Sequence, residues 1–342
     1  MNAEIIGRKT MQYRKLGNSD LSVSAVALGT WGLGGGSVWS DHDSTEAEAK
    51  DLLSACKEFG INYIDTAPVY GTGESERLMG EALKGRRHDF ILQTKCSLNW
   101  RSEGGNFHYS RDGYTVNNDT RKQAIVRDVE DSLRRLKTDY LDSVIVHYVC
   151  KSFPVADTVE ALERLKEQGK IRAYGLSNSQ PKDLEEYQSV GGHVDAVQEF
   201  FSILSPFHGR DYFPACEKYG TTFQTYGVLE EGFLTSPAFM ERTFVKTDIR
   251  SRIPWVQPEY KAGLRRAFDL WEPIRAAHDC SFPQLFEAWA LQQFPNMSLL
   301  VGMRKPANVE NNAKCLEVIL TPDELAAMEE AAKPIQVEVL DK

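Results

Sequence analysis

Asp65, Tyr70, Lys95 and His147 make chemical sense as a set. A tyrosine with a pKa of about 10 is a poor acid at neutral pH. A nearby ammonium favours the phenolate and lowers that pKa, and a carboxylate paired with the ammonium fixes its position. An imidazole beside the phenol can donate to a carbonyl oxygen and orient it. Together they would protonate the oxygen of an aldehyde or ketone as hydride arrives at its carbon. Each alone has a plainer reading. A carboxylate after a strand is often a helix cap, and a lone Lys or His there is usually a solvated loop residue. Their joint placement at the ends of inferred strands carries the argument.

Other chemistries fit worse. No H-x-H, H-E-x-x-H or carboxylate cluster suggests a metal, and no G-x-S-x-G suggests a serine nucleophile. The six cysteines (Cys56, Cys96, Cys150, Cys216, Cys280, Cys315) form no C-x-x-C pair, which argues against a structural zinc, a disulfide framework or an iron–sulfur cluster. They read as buried small hydrophobes in a reducing cytoplasm. The glycine-rich run at 29–36 lacks the G-x-G-x-x-G spacing, so a Rossmann fingerprint does not fit. That run is either a flexible loop or a backbone that approaches a ligand closely, with Trp31 as a wall.

The positioning elements follow from the apolar pattern. A short strand at 61–64 ends at Asp65, and a loop with Pro68, Gly71 and Gly73 carries Tyr70 to a helix that begins near Glu74. Later strands at 90–94, 141–146, 173–176 and 194–197 end at Lys95, His147, Ser177-Asn178 and Gln198. Strands at 221–225 and 298–301 end at Tyr226 and at Gly302-Met303-Arg304. The first buried strand covers 25–28, after a plausible hairpin, and residues 1–10 look like a disordered leader. Helices lie between the strands. One is announced by the Thr45/Glu48 capping box, and the last by Thr321, Pro322 and Glu324. Alternating strands and helices point to parallel strands joined by right-handed crossovers. Eight such units predict an α/β fold of the closed (β/α)8 TIM barrel type, a single domain over 11–342. Long loops follow strands 3 and 7, at 99–119 and 229–260, on the face where barrel enzymes carry their lids.

Composition narrows the partners. A net charge of −9 and a pI of about 5.4 favour neither nucleic acid nor an anionic membrane. No run of about 18 apolar residues predicts a membrane span, and no apolar signal core opens the chain, so a cytoplasmic protein is expected.

The sequence resembles the aldo-keto reductases from about Met11 to Glu330. The match is carried by Tyr13-Arg14-Lys15-Leu16-Gly17, Leu28-Gly29-Thr30-Trp31, Ile64-Asp65-Thr66-Ala67, Tyr70-Gly71, Thr94-Lys95, Ser132-Leu133-Arg134-Arg135-Leu136, Asp139-Tyr140-Leu141-Asp142, Gly175-Leu176-Ser177-Asn178 and Gly302-Met303-Arg304-Lys305-Pro306. The resemblance implies a (β/α)8 barrel closed at the bottom by an N-terminal hairpin. It implies NADPH, with NAD possible, bound across the barrel mouth, and reduction of a carbonyl with Tyr70 as general acid. The tetrad would be Asp65, Tyr70, Lys95 and His147. Ser177, Asn178 and Gln198 would hold the nicotinamide amide and Tyr226 would stack on its ring. The pyrophosphate would lie under Gly227, Val228, Leu229, Gly232 and Leu234. Thr30, Trp31, Asp65, Gly302 and Arg304 would also meet the cofactor, Arg304 at the 2′-phosphate, with Asn308, Asn311 and Asn312 at the adenine end. Trp31, Trp100 and Tyr148 would wall the substrate.

Some positions depart from the family pattern. His147 is followed by Tyr148-Val149-Cys150, where the family usually has Trp or Arg and then Pro; this alters the substrate wall. The usual Ser-Pro-Leu reads Gly227-Val228-Leu229, and the adenine-side Glu-Asn pair reads Asn311-Asn312. No acidic residue lies between Gly302 and Val309 to grip a ribose 2′-hydroxyl, which favours NADP. The basic segment 241–266 reads mainly as a solvated helix face. Two further readings compete: an NAD-linked sugar or polyol dehydrogenase, and a cofactor-sensing regulatory subunit similar to potassium-channel β subunits.

Overall fold

The computed structural model describes residues 11–39, 43–101 and 104–338, so the expected leader lies outside the described residues. Eight strands close a barrel: β1 (Val26–Gly29), β2 (Tyr63–Asp65), β3 (Ile91–Cys96), β4 (Leu141–Val146), β5 (Ile171–Ser177), β6 (Val194–Phe200), β7 (Thr222–Tyr226) and β8 (Met297–Gly302). Each pairs in parallel with its sequence neighbour, and β8 pairs with β1 to complete the ring. Helices α1 (Glu46–Glu58), α2 (Glu74–Ala82), α3 (Lys122–Leu136), α4 (Val155–Glu167), α5 (Pro181–Ser189) and α6 (Phe207–Tyr219) follow the first six strands. Helices α7 (Pro258–Ala277) and α8 (Phe282–Leu291) follow β7, and α9 (Pro306–Ala313) and α10 (Pro322–Ala332) follow β8. The capping boxes at Thr45 and Thr321 form as the sequence predicts. The main core lies between the strands and this outer ring of helices.

The barrel interior is graded from one end to the other. At the bottom, an antiparallel hairpin of Tyr13–Lys15 and Ser22–Ser24 inserts Leu16, Leu21 and Val23 against Ala27, Tyr63, Ile145, Ala173, Ala196 and Leu300. Gly17 turns this hairpin with φ of 54° and donates its amide to Thr222 Oγ1 at 2.8 Å. Asn18 donates its amide to Asp195 Oδ1 at 3.1 Å. Above this apolar floor the inward residues become polar, because strand alternation then presents Gln93, Gln198 and Gln224.

The two long loops depart from the reading of their sequences. The stretch after β3 is a β-hairpin rather than an irregular connection. Asn106–Arg111 pairs antiparallel with Tyr114–Asn118, which also pairs with Leu98–Asn99 to make a three-stranded sheet. Asp112 (φ 50°) and Gly113 (φ 80°) form its two-residue turn. Positive φ at both positions is what such hairpin turns demand, and Asp-Gly supplies it. Of the basic segment 241–266, the part up to Val256 forms short 3-10 turns, and only 258–266, with exposed Arg265 and Arg266, lies on a helix, the start of α7. Within it Arg250 is buried and pairs with Asp248 at 2.6 Å, so this basic residue is not solvated.

A Cβ on Gly17 would lie 2.3 Å from the Asp195 carbonyl oxygen, and its φ disfavours any other residue. Gly17→Ala is therefore expected to cost about 2–4 kcal/mol in chemical denaturation, while cofactor affinity at the opposite end stays unchanged. Wild-type stability in the variant would show that the hairpin does not bind the barrel floor in this way.

Candidate active site

The loop between β2 and α2 and the ends of β3 and β4 bring the four candidate residues together. Lys95 Nζ lies 2.7 Å from Asp65 Oδ2, 3.0 Å from Tyr70 Oη and 3.0 Å from the Thr66 carbonyl. All three ammonium protons thus have acceptors. The Tyr70 ring meets His147 edge-on, with centroids 6.0 Å apart. Asp65 and Lys95 are 3% and 1% exposed, whereas Tyr70 and His147 are half-buried at the mouth.

Burial governs the protonation states. It pushes the Lys95 ammonium below its ordinary range, with the charges of Asp65 and Glu76 opposing. Burial, then Asp65 and Tyr109, raise the Tyr70 phenol well above its usual value. The expected net lowering of this pKa is thus corrected: the Lys95 ammonium favours the phenolate, but desolvation, with Asp65 beside it, outweighs it. Burial first, then Lys95 and His108, holds His147 well below the usual imidazole value. At neutral pH the site therefore holds a protonated phenol beside a neutral imidazole. His147 Nδ1 is buried and has no hydrogen-bond partner among the described residues.

Asp65 is fixed from three sides. Its backbone carbonyl accepts from the Thr30 amide at 3.0 Å and the Thr30 hydroxyl at 2.9 Å. Its Oδ1 accepts from Gln93 at 2.8 Å and Gln198 at 3.1 Å. Sequence reasoning missed Gln93, Gln224 and Tyr63. The signal was available in strand periodicity: Tyr63 precedes Asp65 by two, Gln93 precedes Lys95 by two, and Gln224 precedes Tyr226 by two, so each shares an inward face with a site residue.

The residues expected at the cofactor divide into open and engaged groups. Asn178, in the left-handed region at φ 47°, donates to the His147 carbonyl at 2.9 Å and accepts from Tyr226 Oη at 2.6 Å. Ser177 donates to the Gln198 carbonyl at 2.7 Å. These groups and the half-buried Tyr226 ring gather at one sector of the mouth. Thr30 is fully buried beneath Asp65, and Val228 and Leu234 pack into the core, while Gly227, Leu229 and Gly232 are partly exposed. Gly227 has φ of 76°, and a Cβ there would lie 2.1 Å from the Phe200 ring. Past β8, exposed Gly302 leads to Arg304, whose guanidinium lies over the Trp39 ring at 5.5 Å and beside Gly32. Asn308 is exposed and caps α9, and Asn312 is buried. Asn311 accepts from Ser281 at 3.0 Å and donates to Asn312 at 3.1 Å, which ties its amide to the start of α8.

The hairpin after β3 supplies an aromatic roof. His108 lies 4.4 Å from the Tyr148 ring, and Tyr148 lies 5.6 Å from His147. Trp31 stacks on Tyr70 at 6.1 Å and meets Trp39 edge-on at 5.0 Å. At the hairpin tip, Asp112 accepts from the Ser37 amide at 3.3 Å, joining the loops after β3 and β1. Trp100 packs under Arg135 at 5.4 Å and lines a small cavity with Val69, Gly71 and Tyr109. Among the described residues no His/Cys/Asp/Glu cluster could hold a metal, and no helix is long and apolar enough to cross a membrane.

Comparison with known proteins agrees with this architecture. An NADH-specific methylglyoxal reductase of Escherichia coli (strain K12) is 34% identical over 330 residues, spanning 95% of this chain and 100% of that protein. The solved glycerol dehydrogenase of Gluconobacter oxydans superposes with a TM-score of 0.84 at 30% identity, covering 96% of this chain and 97% of that one. An aldo/keto reductase of Klebsiella pneumoniae, solved with NADP and acetate, gives a TM-score of 0.71 at 25% identity, covering 98% and 99%. The model of the Aldo/keto reductase family matches residues 25–333, and with the barrel and its polar mouth in view, the chain belongs to that family.

Proposed function

We propose that this oxidoreductase reduces an aldehyde or ketone to an alcohol with NADPH, with Tyr70 as the proton donor. The observation that carries the reading is the single ammonium of Lys95, which touches both Asp65 and Tyr70. Tyr70 enters the reaction as a phenol and gives its proton to the developing alkoxide. Lys95 stabilises the phenolate left behind, and Asp65 holds Lys95 in place. The neutral imidazole of His147 offers an N–H that orients the carbonyl oxygen. This assembled set supports a catalytic rather than a purely cofactor-sensing role.

The donor set fits a nicotinamide dinucleotide. Ser177, Asn178 and Gln198 would hold the carboxamide, the Tyr226 ring would lie against the nicotinamide, and the backbone at Gly227, Leu229 and Gly232 would meet the pyrophosphate. Asn308, Asn311 and Asn312 would stand toward the adenine end, and the ties of Asn311 favour a supporting role. When bound, the cofactor supplies hydride to the carbonyl carbon. Trp31 and Tyr148 would flank the substrate, and Trp100 would act through the cavity behind the Tyr70 loop. The six free cysteines, all buried, suit a reducing cytoplasm.

A second reading has its own support. Likeness to a glycerol dehydrogenase favours polyol oxidation, and likeness to an NADH-specific reductase favours NADH. Arg304 and the N-terminus of α9 favour NADPH, because a 2′-phosphate of roughly two negative charges calls for a guanidinium.

Tyr70→Phe is expected to leave NADPH affinity nearly unchanged and lower turnover of 4-nitrobenzaldehyde or methylglyoxal by about two to four decades. An active variant would remove Tyr70 from the role. Lys95→Met leaves a buried carboxylate unpaired, so activity is lost and thermal unfolding reports a loss of about 3–5 kcal/mol. Wild-type turnover in that protein would contradict the assignment. Arg304→Ala is expected to cost about 1.5–3 kcal/mol of NADPH affinity and almost none for NADH, read by fluorescence titration. Equal losses, or a wild type that prefers NADH, would promote the NAD-linked reading.

A further inference from the structure

We infer that Gln93 is a positioning residue for the reaction, acting through Asp65 from inside the barrel. The inference rests on the reading of Tyr70 as proton donor. The Gln93 amide is satisfied on every side. Its Nε2 donates to Asp65 Oδ1 at 2.8 Å and to Gln224 Oε1 at 2.9 Å. Its Oε1 accepts from Tyr63 Oη and from Gln224 Nε2, the latter at 3.1 Å. Gln224 returns the contact: its Nε2 also donates to Tyr63 Oη at 2.6 Å, and its Oε1 also accepts from Gln198 at 3.0 Å. Gln93, Gln198, Gln224 and Tyr63 are all fully or almost fully buried.

This network has only one sensible polarity. Asp65 accepts at Oδ1, so the Gln93 face toward it must be N–H, and that choice sets the orientation of Gln224 and the Tyr63 hydroxyl in turn. Turning Gln93 over would set an amide oxygen against a carboxylate and leave buried groups unpaired. The amide therefore occupies Oδ1 and leaves Oδ2 for Lys95. Gln93 touches neither Tyr70 nor the mouth by any bond of its own. Its effect must pass through the orientation of Asp65, then Lys95, then Tyr70. The charged and titratable groups around that relay are Lys95 and Asp65, Glu76 from α2, His147 from the end of β4, and His108 and Tyr109 from the hairpin.

The test uses Gln93→Leu and Gln93→Met, which keep most of the volume and remove both the donor and the acceptor. Gln224→Met serves as comparison, because it breaks the network but leaves both Asp65 donors in place. NADPH oxidation with 4-nitrobenzaldehyde gives kcat and KM, and fluorescence titration gives NADPH Kd. In folded Gln93 variants kcat is expected to fall about ten- to a hundredfold, with KM and Kd within twofold, and Gln224→Met is expected to lose less turnover than either. A purely structural amide would instead lower the unfolding temperature in all three while folded protein kept its kcat. That outcome, or kcat within twofold of wild type in Gln93→Met, or failure of both Gln93 variants to fold, overturns the inference. Tyr70→Phe, run alongside, separates the two ideas. If it is dead while the Gln93 variants are active, only the positioning role falls; if it is active, the reading of Tyr70 falls as well.

Discussion

Everything at the mouth depends on one buried ion pair. Moving an ammonium and a carboxylate out of water costs several kcal/mol for each ion, and Coulomb attraction alone does not reliably offset it. Lys95 and Asp65 persist inside the barrel because each spare valence is met. The ammonium has the Asp65 carboxylate, the Thr66 carbonyl and the Tyr70 hydroxyl; the carboxylate has Gln93 and Gln198 on its other oxygen. A pair so ligated has little freedom to rotate. Tyr70 inherits that rigidity, since its hydroxyl hangs on the same ammonium and faces the mouth.

The rest of the barrel serves to keep that pair dry and aligned. The hairpin under the floor excludes water from below with Leu16, Leu21 and Val23. The amide layer above it carries no net charge, so it can solvate a carboxylate without adding a second ion. Aromatic rings then close the approach from above, with Trp31 and Tyr148 flanking the phenol and imidazole. The polarity of the interior thus rises from floor to mouth, in the same direction as the strands run.

The barrel and the four clustered residues were legible in the sequence because both depend on local pattern. Apolar runs of strand length ending in Asp65, Lys95 and His147 are visible without knowing what lies opposite. The amide layer was less visible, since Gln93 and Gln224 inside otherwise apolar strands declare themselves only when residues two apart are read as one face. The hairpin was missed although Asp112-Gly113 marks it, because the flanking residues are too polar to read as strands. The direction of the Tyr70 shift was misread for a different reason. Sequence proximity supplies the neighbouring charges, but the amount of water removed from the phenol is a property of the folded mouth. Asn311 adds a further case: the sequence suggests a ligand contact, and the structure also ties its amide to Ser281 and Asn312, which the sequence does not show.

The hairpin after β3 closes on itself. Leu98 faces Asn118 and Asn99 faces Asn117, so the chain leaves the barrel and returns to it at nearly the same point. Its strands pair with one another rather than with the barrel, and side chains such as Arg101 on Asp131 and Asn106 on Ser152 anchor it to the barrel. Such an element is a cassette: a change in its length or its outer rings leaves the register of the barrel strands and the buried pair beneath it in place.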